Sequence, residues 1–195
     1  NNEGIKSFTD YCHTKEKKTC IFEHIYFARP DSIIDGVSLQ SARITAGKIL
    51  AKEYPVDADV VIGVPDSGLD AALGYSQESG IPYGIGLIKN KYIGRTFISP
   101  GQSDRFDKVR IKLSPVNTAV KGKRVILIDD SIVRGTQLQD NVDELYSYGA
   151  KEVHMRIACP PLIYGCPFLG FSSSKSDLEL MSRRIIKDLE GDENK

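Results

Sequence analysis

The chain has no excess of charge of either sign: its 195 residues carry 26 Lys and Arg against 26 Asp and Glu, for a formal net charge of zero. That balance removes any bulk electrostatic case for binding nucleic acid or an anionic membrane, so a basic site would have to be local. No apolar run approaches the ~20 residues that a helix needs to cross a bilayer, and no apolar signal-peptide core occurs near the start. These absences predict a cytoplasmic protein. Cysteine is sparse: Cys12, Cys20, Cys159 and Cys166 form no C-x-x-C pair, which argues against a local zinc knuckle, and a cytoplasmic setting argues against disulfides. Repeats, low-complexity tracts and internal linkers are missing as well. What remains, 41% hydrophobic and 27% charged residues, is ordinary for a globular domain with one sizeable core.

Local patterns divide the chain into alternating elements. Residues 38–54 have helical spacing, with Leu39, Ala42, Ala46, Ile49 and Leu50 on or near one face. Residues 59–64 hold the buried-type run Val60-Val-Ile-Gly-Val64, which ends at Pro65, and Gly80 reads as the stop of the helix that follows. A second strand is expected over residues 81–88. Residues 90–110 mix glycine, proline and charge without a period, the pattern of a long loop in which function is expected to lie. A strand from Val125 and its helix should end at Gly149, followed by a strand over residues 153–158. Leu178, Met181, Ile185 and Leu189 mark a last amphipathic helix, with Ser176 as its N-cap. Strands alternating with helices predict an α/β fold, a parallel sheet flanked by helices.

The most informative stretch runs from Val125 to Thr136: a run of aliphatics, the adjacent carboxylates Asp129 and Asp130, then a glycine-containing turn that ends in a hydroxyl. A turn placed after an interior parallel strand leaves backbone N–H groups free where a helix begins, at the positive end of its dipole, and so can hold a phosphate. Thr136 and Gln139 fit a capping box for that helix. Asp129 and Asp130 fall at the carboxyl edge of the strand, where open α/β sheets place their ligands, and can accept hydrogen bonds from a ribose diol. Together these features describe a site for a phosphorylated sugar.

This stretch resembles the phosphoribosyl pyrophosphate (PRPP) signature of the type I phosphoribosyltransferases. Residues 23–32, 63–68 and 86–98 extend the likeness from about Cys20 to the end of the chain, and their order and spacing narrow it to the glutamine-dependent branch of that family. The resemblance implies a type I phosphoribosyltransferase-like domain over residues 20–195. Residues 1–19, polar and basic and starting at Asn1 rather than Met, would then be a tail or linker from a glutaminase domain that this sequence lacks. The implied reaction is displacement of pyrophosphate from C1 of PRPP by ammonia, giving 5-phosphoribosylamine in the first step of purine synthesis, with no covalent nucleophile.

Site residues follow from the same likeness. Asp66, Ser67 and Gly68 would bind pyrophosphate, with Gly68 allowing close approach of the backbone to an anion. Ser67, Asp129 and Asp130 would surround a hydrated Mg²⁺, an ion that favours oxygen ligands. Ser131, Ile132, Val133, Arg134, Gly135 and Thr136 would hold the ribose phosphate. A flexible loop over residues 89–112 would close on PRPP, with Lys91 and Arg95 as phosphate contacts, Tyr92 as a wall of the ammonia path, and Arg95 joining Asp129 and Asp130 as a catalytic residue. Some bacterial members of the branch carry a [4Fe–4S] cluster, and Cys20 and Cys166 occupy the places of two of its four ligands. The implied partners are PRPP, ammonia from a glutaminase domain and further copies in a homo-oligomer, with no nucleic acid and no membrane. Two rival functions stay open. One is a PRPP-binding regulatory module and the other a purine-salvage phosphoribosyltransferase; the intact stretch 92–97 favours the ammonia-using enzyme, and no base-binding hood can be named.

Overall fold

Two neighbouring aliphatic runs, each buried on both faces, set the layers of the fold. A computed structural model describes residues 4–6, 8–10, 16, 18–90, 113–166 and 177–191. In chain order a π-helical turn (Glu23–Phe27) leads into an antiparallel hairpin of β1 (Ile33–Ile34) and β2 (Val37–Ser38). Then come α1 (Leu39–Glu53), β3 (Val60–Gly63), α2 (Leu69–Ser79), β4 (Leu87–Lys89), β5 (Leu113–Pro115), α3 (Asn117–Val120) and β6 (Arg124–Asp129). The last elements are α4 (Thr136–Ser147), β7 (Glu152–Ile157), a 3₁₀ turn (Asp177–Glu179) and α5 (Met181–Glu190).

The parallel sheet flanked by helices is present. Its strand order is β3-β6-β7, with Val60 opposite Val125 and Asp129 opposite Ile157. Side chains of a strand alternate between its faces. Val60, Ile62, Val64, Val125 and Leu127 therefore enter a core with Val120 and Leu145, from α3 and α4. Val61, Ile126 and Ile128 enter a second core, with Ala71, Ala72 and Tyr75 of α2. Helices thus cover both faces, which is why the two strands read as unbroken apolar runs rather than as polar-apolar alternations. Among the described residues, no helix is long and apolar enough to cross a membrane.

Three expectations are corrected. Residues 81–88 do not continue the sheet as a strand: only Tyr83 bridges Val61 in parallel, and β4 pairs antiparallel with β5. A Cβ on Gly84 would lie 2.8 Å from Val60 Cγ2, and one on Gly86 2.6 Å from Ile62 Cγ2, so the chain is pressed over these side chains on its way to a separate ladder.

The buried face of α1 is Leu39, Arg43, Gly47 and Ala51, while Ile49 is half exposed. Close helix packing sets that face. A Cβ on Gly47 would fall 1.9 Å from the Ala71 carbonyl, and one on Gly74 2.0 Å from the Ile44 carbonyl, so α1 and α2 touch through backbone.

The last helix begins only at Met181, after the 3₁₀ turn, and Ser176 lies outside the described residues. Its Ile185 and Leu189 are exposed while Leu180, at its start, and Arg183 are buried, so the buried row is not the expected one. The expected stops at Gly80 (φ +74°) and Gly149 (φ +86°) are both left-handed, a conformation that glycine adopts without steric cost.

Candidate functional site

Because β3 and β6 are adjacent and parallel, the loops that follow them leave the sheet at one edge. The Val64 N–H donates to the Ile128 carbonyl at 2.8 Å and carries the ladder just past β3. Residues from both loops line a single cavity of about 690 Å³. It brings together Asp66 and Ser67 from the first loop with Asp129, Asp130, Ser131, Ile132, Val133, Arg134, Gly135 and Thr136 from the second. Lys91, Tyr92 and Arg95 lie outside the described residues. Gly68 stands behind the cavity wall: a Cβ there would meet the Ile128 carbonyl at 2.5 Å and the Val64 nitrogen at 3.0 Å, which gives this glycine a packing reason of its own.

The two adjacent carboxylates are not equivalent. Asp129 Oδ1 accepts from the Asp130 N–H at 2.8 Å, and burial, together with the neighbouring Asp130 charge, pushes the Asp129 carboxyl up to about 7. Asp130 is buried; its Oδ1 accepts from the Ser131 hydroxyl at 2.8 Å, and its buried Oδ2 has no hydrogen-bond partner among the described residues. Buried polar atoms are normally satisfied, so an unpaired oxygen on a cavity-lining carboxylate is a candidate acceptor for a ligand hydroxyl or a hydrated cation. Cys159, behind Asp130, donates its N–H to the Asp130 carbonyl at 2.8 Å. Burial first and the Asp130 charge second push its thiol up to about 11, which leaves it inert as a nucleophile.

The raised Asp129 carboxyl has a consequence for stability. A group that holds its proton more tightly when folded contributes stability that is full below the ordinary carboxylate value of about 3.9 and is lost as pH rises through its folded value. For Asp129 that window runs up to about 7. Urea unfolding across it should show Asp129→Asn gaining stability relative to the parent as pH rises. Parallel pH profiles for the two proteins would contradict this.

The loop after β6 enters α4 through Gly135, whose φ of +81° makes it the N-cap. The expected capping box is not formed: no side chain caps α4, and Gln139 Nε2 donates to Asp143 Oδ1 at 2.9 Å instead. A left-handed glycine supplies the turn, leaving Thr136 as the first residue of the helix on the cavity wall.

Several cavity residues had no role in the sequence reading. Phe22, Tyr26 and Phe27 form an aromatic wall with ring centroids 5.4–5.8 Å apart. Arg43 anchors that wall from α1, its Nε donating to the His24 carbonyl and its Nη2 to the Ala28 carbonyl, both at 2.8 Å. No sequence signal marked Arg43, because its row with Leu39, Gly47 and Ala51 is the buried one only once α1 is packed. Lys89 pairs with Asp66 at 2.6 Å across the cavity mouth.

Oxygen donors of Ser67, Asp129 and Asp130 suit a hydrated Mg²⁺. Among the described residues, no group of three His, Cys, Asp or Glu converges to hold a bare ion, so such an ion would reach this wall through its water shell. Cys20 is exposed, Cys166 is half buried, and neither lines the cavity. Two thiolates do not fill an iron–sulfur cubane, so these residues alone do not fit a cluster.

Comparison with known proteins agrees with the geometry. Residues 36–161 match the family model described as the phosphoribosyl transferase domain. An amidophosphoribosyltransferase from Methanocaldococcus jannaschii is 56% identical over 167 residues, covering 86% of this chain and 36% of that protein. One from Archaeoglobus fulgidus is 52% identical over 183 residues, covering 94% and 40%. The solved structure of glutamine PRPP amidotransferase from B. subtilis, complexed with ADP and GMP, superposes with a TM-score of 0.74 at 51% identity, over 87% of this chain and 38% of that one. The chain therefore spans well under half the length of the relatives it matches.

Proposed function

The chain belongs to the phosphoribosyl transferase domain family, and from that premise we propose that its cavity binds PRPP and lets ammonia displace the pyrophosphate, giving 5-phosphoribosylamine, the first step of purine synthesis. The observation that carries this reading is the meeting of two strand-end loops on one cavity, one bearing Asp66 and Ser67 and the other Asp129 through Thr136. PRPP has a phosphate at one end, a diol in the middle and a pyrophosphate at C1. Residues 131–136 take the 5-phosphate at the start of α4, Asp129 and Asp130 accept from the ribose hydroxyls, and Asp66 and Ser67 cradle the pyrophosphate, with Gly68 letting their loop pack close against β6 from behind. The carboxylates also lie beside the ring, where positive charge grows as the C1–O bond breaks. Ser67, Asp129 and Asp130 would hold a hydrated Mg²⁺, which would supply charge neutralisation for the leaving pyrophosphate. Lys91 and Arg95 complete the phosphate contacts, with Arg95 catalytic, and Tyr92 walls the ammonia path. Positioning and electrostatics supply the catalysis, and no protein atom bonds to the sugar.

In this reading the ammonia comes from a glutaminase part of a longer, cytoplasmic, homo-oligomeric protein, with residues 1–19 as the link and 20–195 as the transferase domain. Amidophosphoribosyltransferase relatives more than twice the length of this chain, which match most of it, support the longer protein. Cys20 and Cys166 enter as two of four cluster thiolates in that longer protein, and no chemistry at the cavity runs through iron.

Given PRPP, Mg²⁺ and ammonium at alkaline pH, where free ammonia is available, the purified chain should release pyrophosphate in proportion to free ammonia. Glutamine should release none. Release driven by glutamine would contradict the domain assignment, and PRPP binding without any release would favour the regulatory module.

A further inference from the structure

The loop that faces the cavity is gripped from behind by the start of α5. The Met181 N–H donates to the Val133 carbonyl at 2.8 Å, and Arg184 Nη2 donates to the Arg134 carbonyl at 2.6 Å. Glu179 pairs with the Arg134 guanidinium at 2.8 Å, and a Cβ on Gly135 would come within 2.7 Å of Met181 Sδ. Met181 and Arg184, three residues apart, share one face of α5. The N–H of Met181 belongs to the first turn of the helix, where backbone donors have no partner within the helix and are available to a neighbour. On another face, Arg183 Nε donates to the Ile163 carbonyl at 2.8 Å, and its guanidinium lies 4.4 Å from the Tyr164 ring centroid. The helix is thus tied both to the chain that follows β7 and to the loop.

These contacts fall on consecutive peptide units. In a planar trans peptide the C=O and N–H point in opposite directions. Engaging the carbonyls of Val133 and Arg134 therefore turns the N–H groups of Arg134 and Gly135 away from α5, and both residues line the cavity. We propose that Arg184, with the Met181 backbone, is a positioning device that pre-sets these donors for a phosphate monoester. It rests on the PRPP reading and adds to it a residue that touches no substrate but fixes the 5-phosphate subsite. A loop held in its binding conformation loses less conformational freedom on binding, so the clamp acts on affinity for one end of the ligand only.

The test is calorimetric titration of the full 195-residue chain with ribose 5-phosphate and, separately, with Mg·pyrophosphate, for the parent, Arg184→Met and Arg184→Lys. Losing a charge-assisted hydrogen bond that orders the loop should weaken ribose 5-phosphate binding about tenfold in Arg184→Met. Arg184→Lys, which keeps the charge but not the reach of the fork, should recover part of the loss. Pyrophosphate affinity should be unchanged in both, because its loop follows β3 whereas the α5 clamp grips the loop after β6; this second ligand also reports that the variants are folded. Unchanged ribose 5-phosphate affinity in Arg184→Met would overturn the proposal, as would weakening of both ligands in step, which would make Arg184 a general structural residue. A parent chain that binds pyrophosphate but not ribose 5-phosphate would remove the PRPP reading itself and the clamp with it.

Discussion

Replacing Asp129 and Asp130 together with asparagine is expected to weaken Mg·PRPP binding by roughly a hundredfold or more, since hydrogen bonds to charged groups contribute about 1.5–3 kcal/mol each. Asparagine preserves shape: at position 129 its Oδ1 can still accept from the following backbone N–H, as that of Asp129 does at 2.8 Å. What it removes is charge, including the charge on the buried Asp130 Oδ2, which has no partner among the described residues. The measurement belongs at a pH above about 7, where Asp129 is ionised in the parent. Calorimetry showing the parental Mg·PRPP affinity in the double variant would leave the two carboxylates without the role assigned to them.

Gly47→Ala should destabilise the fold by about 3 kcal/mol, at the upper end of the usual cost of overpacking. In an exposed helix interior the same change would stabilise by about 1 kcal/mol, because alanine is the better helix former. Geometry reverses the sign. The new methyl would sit 1.9 Å from the Ala71 carbonyl, on the backbone of the facing helix, which cannot rotate away as a side chain can. Gly74→Ala, with its methyl 2.0 Å from the Ile44 carbonyl, should behave alike from the other side. Since α2 starts directly after Gly68, forcing the helices apart should also shift the loop that carries Asp66 and Ser67, lowering affinity for pyrophosphate. Urea midpoints equal to that of the parent would show that the two helices separate without cost.

Chemistry concentrated in one short segment was legible in the sequence, and chemistry assembled from distant segments was not. Val125 to Thr136 stands out because a strand buried on both faces, a carboxylate pair and a helix start are consecutive in the chain. The parallel sheet was legible for the same reason: Val60–Gly63 and Val125–Ile128 are short unbroken apolar runs between helical patterns, which suits strands buried on both faces, whereas their adjacency became visible only in the fold. Arg43 was hidden, because an arginine among alanines in a helix reads as solvent-facing until the π-helical turn it holds is brought against it. The face of α1 was misread because Gly47 counts as nothing in an apolar pattern, while in three dimensions it is the point of closest approach. The capping box at Thr136 and Gln139 failed because Gly135, in a left-handed conformation, already serves as the N-cap, and Gln139 turns to Asp143. The contact between α5 and the anion loop joins residues about fifty positions apart through backbone carbonyls, which carry no side-chain signature at all.

The central claim is that the loops after β3 and β6 embrace a single ligand. Hydrogen–deuterium exchange of the chain with and without Mg·PRPP tests it most directly, since each loop is read separately in one experiment. Protection should rise together in residues 64–68 and 130–136 at the same ligand concentration. Protection confined to one of these loops, or absent from both at a concentration that saturates binding, would contradict a shared PRPP site.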